Sequence, residues 1–176
     1  ARVDAAAALD SAAAAVASQR FDDAVVALKS AMALDFQSAE LQDRLTALLS
    51  EAEAGLTAQE SARTDAAAHA AAGERCLASN DYTGAIASFE AAAALQTEFS
   101  ATYLQQAEAA KSSRAEAARL AEEKLAQGEE AYSSNDWESA IELFSAGLAV
   151  KGTADAELTE QLRAALGSAQ ASIRDR

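Results

Sequence analysis

Not one proline interrupts the 176 residues of this chain, and 52 of them are alanine. Proline is the residue a helix interior tolerates least and alanine the one it favours most, about 3 kcal/mol apart per residue. Glycine is sparse at 7, aromatic residues make up 5%, and valine and isoleucine are scattered. Strand formation has little to draw on. The chain is therefore expected to be all-α and helical almost throughout. Hydrophobic residues reach 51%, but much of that is alanine methyl. Large core side chains are few, so the helices must approach closely to bury them.

Three segments align with one another without gaps. They are Ala17-Ser18-Gln19-Arg20-Phe21-Asp22-Asp23-Ala24-Val25, Ala78-Ser79-Asn80-Asp81-Tyr82-Thr83-Gly84-Ala85-Ile86 and Ser133-Ser134-Asn135-Asp136-Trp137-Glu138-Ser139-Ala140-Ile141. Each continues with a large apolar residue (Leu28, Phe89, Phe144), a small one (Ala31, Ala92, Gly147) and an aliphatic one (Leu34, Leu95, Val150). A large residue at i, small at i+3, large at i+7 and small at i+10 share one helical face. The small positions admit a neighbouring helix and the large ones fill the grooves beside it. Asn80-Asp81 and Asn135-Asp136 supply side-chain acceptors for a helix start. Gly73 and Gly128 each lie nine residues before the aromatic, on the preceding helix, where they allow a close crossing. Ala12 takes that place in the first segment.

This pattern resembles the tetratricopeptide repeat, a pair of antiparallel helices with a small residue midway in the first and an aromatic–alanine run in the second. Gly73, Tyr82, Ala85, Phe89, Ala92 and Leu95 match its positions. So do Gly128, Trp137, Ala140, Phe144 and Val150, with Gly147 where alanine is usual. Ala12, Phe21, Ala24, Leu28, Ala31 and Leu34 match more weakly. The resemblance implies a helical repeat protein that binds other proteins. Some members of that family grip a C-terminal carboxylate with lysine, arginine and asparagine on the first helix of each pair. Glu74, Arg75 and Glu129-Glu130, with no asparagine, do not fit that clamp.

The spacing departs from the family. Phe21 to Tyr82 is 61 residues and Tyr82 to Trp137 is 55, by subtraction of positions, against about 34 for the family period. The proline that often ends the second helix is replaced by Phe36, Thr97 and Gly152. The extra residues themselves read as helix. After an Asp35-Phe36-Gln37-Ser38 turn, Ser38 can cap a helix whose stripe is Leu41, Leu45, Leu48 and Leu49. Ser100 or Thr97 can cap another, with Tyr103, Leu104 and Ala107 opening its stripe and Leu120 and Leu125 continuing it. Glu40/Arg44 and Glu116/Arg119 stand at helix-supporting spacings. Helices are expected at about 3–18, 22–34, 38–79, 82–95, 99–134, 137–150 and 154–174. The two long ones would each serve two hairpins. The whole is read as one repeat domain, an elongated α-solenoid or rod. Its units are about 3–37, 60–97 and 115–152, with connectors 38–59 and 98–114 and a C-terminal helix 154–174. In the alternative, the long helices break near Gly55, with Thr57 beside it, and at Ser112-Ser113, giving three-helix units.

Nothing points to catalysis. His69 and Cys76, one of each, are seven residues apart. That is about 10 Å along a helix, too far for a nucleophile–base pair and too few groups for a metal. His69 reads as packed or half-exposed and Cys76 as buried against the return helix. Phosphate-binding and nucleophile-elbow motifs are missing. Carboxylate pairs such as Glu122-Glu123 and Glu129-Glu130 read as solvated faces. Asp22-Asp23 and Asn80-Asp81 lack the loop a calcium site needs and read as caps. Phe21, Tyr82 and Trp137, equivalent across the segments, read as a packing seam rather than a binding stripe. No catalytic, cofactor or metal residue is assigned, and the partner-binding residues are not identifiable.

A net charge of −14 disfavours nucleic acid and anionic membrane surfaces. It fits a solvated acidic surface, or, more sharply, a protein partner with a basic face. No apolar run approaches the ~20 residues of a membrane span. The single cysteine excludes an internal disulfide and favours a reducing, cytoplasmic setting. Ala1-Arg2-Val3-Asp4 carries neither a methionine nor a signal-peptide core, as in a processed, recombinant or partial chain. The expected function is a non-catalytic protein-interaction scaffold or structural spacer. The alternative is a self-assembling subunit of a larger filament or complex, because residues 3–18 (Val3, Ala7, Leu9, Ala12, Val16) are apolar on several sides.

Overall fold

A computed structural model describes residues 2–33, 38–152 and 155–175, with side chains from residue 6 onward. Leu34, the Asp35-Phe36-Gln37 turn, residue 154 and the side chain of Val3 lie outside the described residues. Of the described residues, 87% are helical. Seven helices and no strand occur among the described residues. They are α1 (Arg2–Ala17), α2 (Phe21–Met32), α3 (Ala39–Ala78), α4 (Tyr82–Ala94), α5 (Ser100–Ser133), α6 (Trp137–Ala149) and α7 (Ala156–Arg174). α3 and α5 run unbroken for 40 and 34 residues. Gly55 and Thr57 sit inside α3 without ending it, and the Thr57 hydroxyl donates back to the Glu53 carbonyl at 2.9 Å. Ser112-Ser113 likewise lie inside α5.

The residues divide into two compact units, Ala1–Thr64 and Asp65–Arg176. In the first, one core joins Leu9, Ala12 and Ala15 of α1, Ala24, Val25, Leu28 and Ala31 of α2, and Leu45 and Ala52 of α3. The second holds two cores. One joins Ala70, Cys76 and Leu77 of α3, Ala85, Ile86 and Phe89 of α4, and Ala107 and Ala110 of α5. The other joins Ala121 and Leu125 of α5, Ala140 and Phe144 of α6, and Leu158, Leu162 and Ala169 of α7. Every core is thus a three-helix module: a hairpin plus a third segment. The third segment supplies small and aliphatic residues at i, i+4, i+7 and i+11, as in Leu41, Leu45, Leu48 and Ala52, or Leu158, Leu162, Ala165 and Ala169. The long helices run on through Gly55 and Ser112-Ser113 without breaking, and the two halves of α5 pack in different cores.

Ring size and backbone approach are matched inside each core. An added Cβ on Gly73 would lie 2.8 Å from the Phe89 ring, and one on Gly128 would run into the Phe144 ring. Phe89 and Phe144 are completely buried. The first module has the smaller Leu28 at this place and keeps alanine, Ala12, in the facing helix, both with 0% exposure. A leucine leaves room for a methyl group that a phenyl ring does not.

The hairpin turns are built alike. Gln19, Asn80 and Asn135 have φ of 59°, 61° and 61°. At the second turn the Asn80 N–H donates to the Leu77 carbonyl at 3.0 Å and the Asp81 N–H to the Cys76 carbonyl at 2.8 Å. This paired closure satisfies the last carbonyls of the first helix. Asp81 then caps α4, accepting from the Gly84 N–H at 2.9 Å, and Asp136 caps α6, accepting from Ser139 at 3.2 Å. The aspartates alone supply the acceptors. The asparagines instead take the left-handed conformation, which they tolerate better than most residues. In the first turn Gln19 and Arg20 occupy these two places, and Arg20 provides no side-chain cap.

Other expected caps divide. Ser38 accepts from the Leu41 N–H at 3.4 Å. α5 is preceded by Phe99 with no side-chain cap, and the Thr97 and Ser100 hydroxyls lack a protein partner.

Candidate functional site

The first and third segments of a module flank the hairpin's return helix and leave an open groove on their other side. In the second unit α5 and α7 run parallel along such a groove. The Tyr132 and Ser172 hydroxyls, 3.1 Å apart, tie the two helices together near their C-terminal ends. Toward the start of α7 the groove opens to about 500 Å³, lined by Lys111, Arg114, Ala115, Ala118, Asp155 and Glu157. A further 280 Å³ continues past Glu122, Leu125, Ala126, Glu129 and Gln161. The floor is wide because its α5 wall is largely alanine. Leu162 turns instead into the core beneath Phe144, while the largely buried Leu158 also edges the narrower part of the groove. In the first unit α1 and α3 frame a corresponding groove of about 320 Å³, lined by Leu9, Ala13, Ala47 and Leu48 with Asp10, Arg44 and Glu51 at its edge.

Charge is arranged unevenly along the α5–α7 groove. Lys111 is held between Glu90 at 2.9 Å and Glu108 at 2.8 Å. The hydrogen bonds from Glu108 and Glu90 raise its pKa above the ordinary lysine value. Arg119, on the same helix, pairs with Glu116 at 2.7 Å and reaches Glu123 at 3.6 Å. The Glu116 pKa is lowered by the Arg119 hydrogen bond. Asp155 accepts the Glu157 and Leu158 N–H groups at 3.0 and 3.1 Å and so caps α7. Glu122, Glu129 and Glu157 have no ion-pair partner among the described residues. Farther on, the acceptor role depresses the Asp136 pKa: the Ser139 hydroxyl and then its N–H favour the carboxylate.

His69 is exposed, and Cys76 is half-buried against α4 with its Sγ beside Gly84. Glu116 and Arg119 form the expected pair. Phe21, Tyr82 and Trp137 are only half-buried, at the starts of their helices. The Phe21 ring lies on Gly55 and the Tyr82 ring on Gly152. The fully buried seam is the next large position along each return helix: Leu28, Phe89 and Phe144. No group of three His, Cys, Asp or Glu side chains suited to a metal occurs among the described residues. No helix among them is long and apolar enough to cross a membrane. The grooves are not visible in the sequence, where Ala115 and Ala118 look like any other alanines. Their only signal is that alanine persists on α5 at positions facing away from α6.

The architecture defines an all-α protein of three-helix modules in which long helices take part in two cores. No protein-family model matches the chain, and neither the curated proteins nor the solved structures compared with it include a match.

Proposed function

We propose that this chain is a non-catalytic scaffold or structural spacer for protein–protein interaction, built on tetratricopeptide-like hairpins. The observation that carries the reading is the recurrence of an open groove between the first and third segments in both units. Repetition of one surface along a chain suits recognition of an extended partner. The apolar floors and charged edges also have the anatomy of a protein-binding surface, with contact area in the middle and polar groups at the rim. The net charge of −14 favours a partner with a basic face and speeds encounter with it.

Crosslinking in the native source, followed by mass spectrometry, tests the reading. It predicts crosslinks to a reproducible protein neighbour from Lys111, which lines the α5–α7 groove. Recovery of the chain free of any reproducible neighbour would remove it. Sedimentation over a concentration series separates binding of another protein from self-assembly, which would show as mass rising with concentration.

A further inference from the structure

Resting on the scaffold reading, we infer that the α5–α7 groove takes one kind of occupant, a cationic amphipathic helix of a partner protein. Three features argue for it. The groove is bounded by two parallel helices and floored by Ala115, Ala118 and Leu125, leaving about 500 Å³ at its wide end. That is a few times the ~150 Å³ void left by a large-to-small core substitution. The partner must therefore bring bulky aliphatic side chains, because the floor of the wide end is the alanine methyls of Ala115, Ala118 and Ala156, with charged side chains only at its edge. A helix does this with anchors at i, i+3 or i+4, and i+7.

The second feature is charge. Glu122, Glu129 and Glu157 stand along the rim without ion-pair partners among the described residues. Elsewhere on α5 the carboxylates are partly offset: Glu116 and Glu123 share Arg119, and Glu108 shares Lys111 with Glu90. The narrower part of the groove is lined by four carboxylates, Glu122, Glu129, Asp155 and Glu157, and by no cation, whereas Lys111 and Arg114 line the wide end, so lysine or arginine flanking the apolar anchors would be drawn to the narrower part. The third is the backbone. A helix satisfies its own N–H and C=O groups, and a floor of alanine and leucine side chains offers a partner's backbone no hydrogen-bonding groups. An extended peptide would leave its backbone groups unmatched there.

The test uses the full chain and a fluorescent synthetic helix of leucine, alanine and lysine, with leucine on one face. Controls are the same composition in scrambled order and a version with glutamate in place of lysine. The leucine-striped cationic peptide should bind saturably by fluorescence anisotropy and weaken as salt is raised. The glutamate version should not bind. Ala118→Trp, which fills the floor, should weaken binding by about tenfold or more, as loss of an anchor pocket does. Glu122→Gln with Glu129→Gln should reduce both the affinity and its salt dependence. Bound peptide should slow amide exchange in 114–129 and 156–162.

Equal binding of the scrambled peptide would mean general attraction to an acidic surface and would overturn the inference. So would absence of binding, unchanged affinity in Ala118→Trp, or protection confined to other segments. Circular dichroism of each variant confirms that it is folded. Native crosslinks from other faces, together with failure of the peptide, would remove the groove assignment while leaving the scaffold reading in place.

Discussion

Replacing Gly73 by alanine sets two terms against each other. In a helix interior the change gains about 1 kcal/mol from backbone propensity. The new Cβ, however, would stand 2.8 Å from two carbons of the Phe89 ring, where carbon atoms prefer about 3.5–4.0 Å. The ring must retreat by about 1 Å. It has 0% exposure and is enclosed by Ala107 and Ala110 of α5, so it has nowhere to go without moving a helix. Overpacking of this kind costs about 1–3 kcal/mol. The expected net effect lies between no change and a loss of about 2 kcal/mol, the steric cost less the propensity gain. For a chain of this size each kcal/mol moves Tm by about 2–4 °C. Gly167→Ala is the matched control: nothing lies within 4 Å of its added Cβ, so about 1 kcal/mol of stabilisation should appear undiminished.

The decisive measurement is the double variant. Gly73→Ala with Phe89→Leu recreates the Ala12 and Leu28 combination of the first module. In the leucine background Gly73→Ala should cost at least about 1 kcal/mol less than in the wild type, a coupling typical of touching residues. Thermal and urea unfolding followed by far-ultraviolet circular dichroism reads all four proteins. Equal stabilisation by Gly73→Ala and Gly167→Ala would refute the reasoning. So would additivity of the two single changes to within about 0.5 kcal/mol.

Arg20→Asp should stabilise the first hairpin by about 0.5–1 kcal/mol by adding the missing cap; its φ of −90° and ψ of 66° already resemble those of Asp81 and Asp136, and an unchanged unfolding midpoint would count against this. Asp136 has a depressed pKa, so its contribution is present above the ordinary aspartate value and is lost as pH falls through the lowered one. Asp136→Asn keeps an acceptor but does not titrate there, and should flatten that acid limb when wild type and variant are unfolded side by side from about pH 6 down to about pH 2, a window that brackets the ordinary aspartate value of about 4. Gly152→Ala should destabilise by about 1–2 kcal/mol, since Gly152 has φ of +84° and faces the Tyr82 ring; amide exchange at the starts of α4 and α7 should quicken, and unaltered exchange would contradict the contact.

Helix positions can be read from residue order because their causes are local. Without proline and with alanine throughout, helices stop only where a turn is encoded. Each expected boundary falls within two residues of the observed one, among the described residues. The aspartate caps are legible for the same reason: a carboxylate just before a helix reaches the N–H three residues on. Sequence periodicity also separates Gly73 and Gly128 from the other glycines. Other choices needed the neighbours in space. Which large residue of each return helix becomes the buried one depends on a third segment more than a dozen residues away, and it selected Phe89 and Phe144 over Tyr82 and Trp137. Thr97 and Ser100 have the right chemistry for a cap, yet α5 begins without one. The groove between α5 and α7 is a tertiary product altogether. One alanine is like another along the chain, and only the placement of two parallel helices turns Ala115 and Ala118 into a floor while Ala121 becomes core.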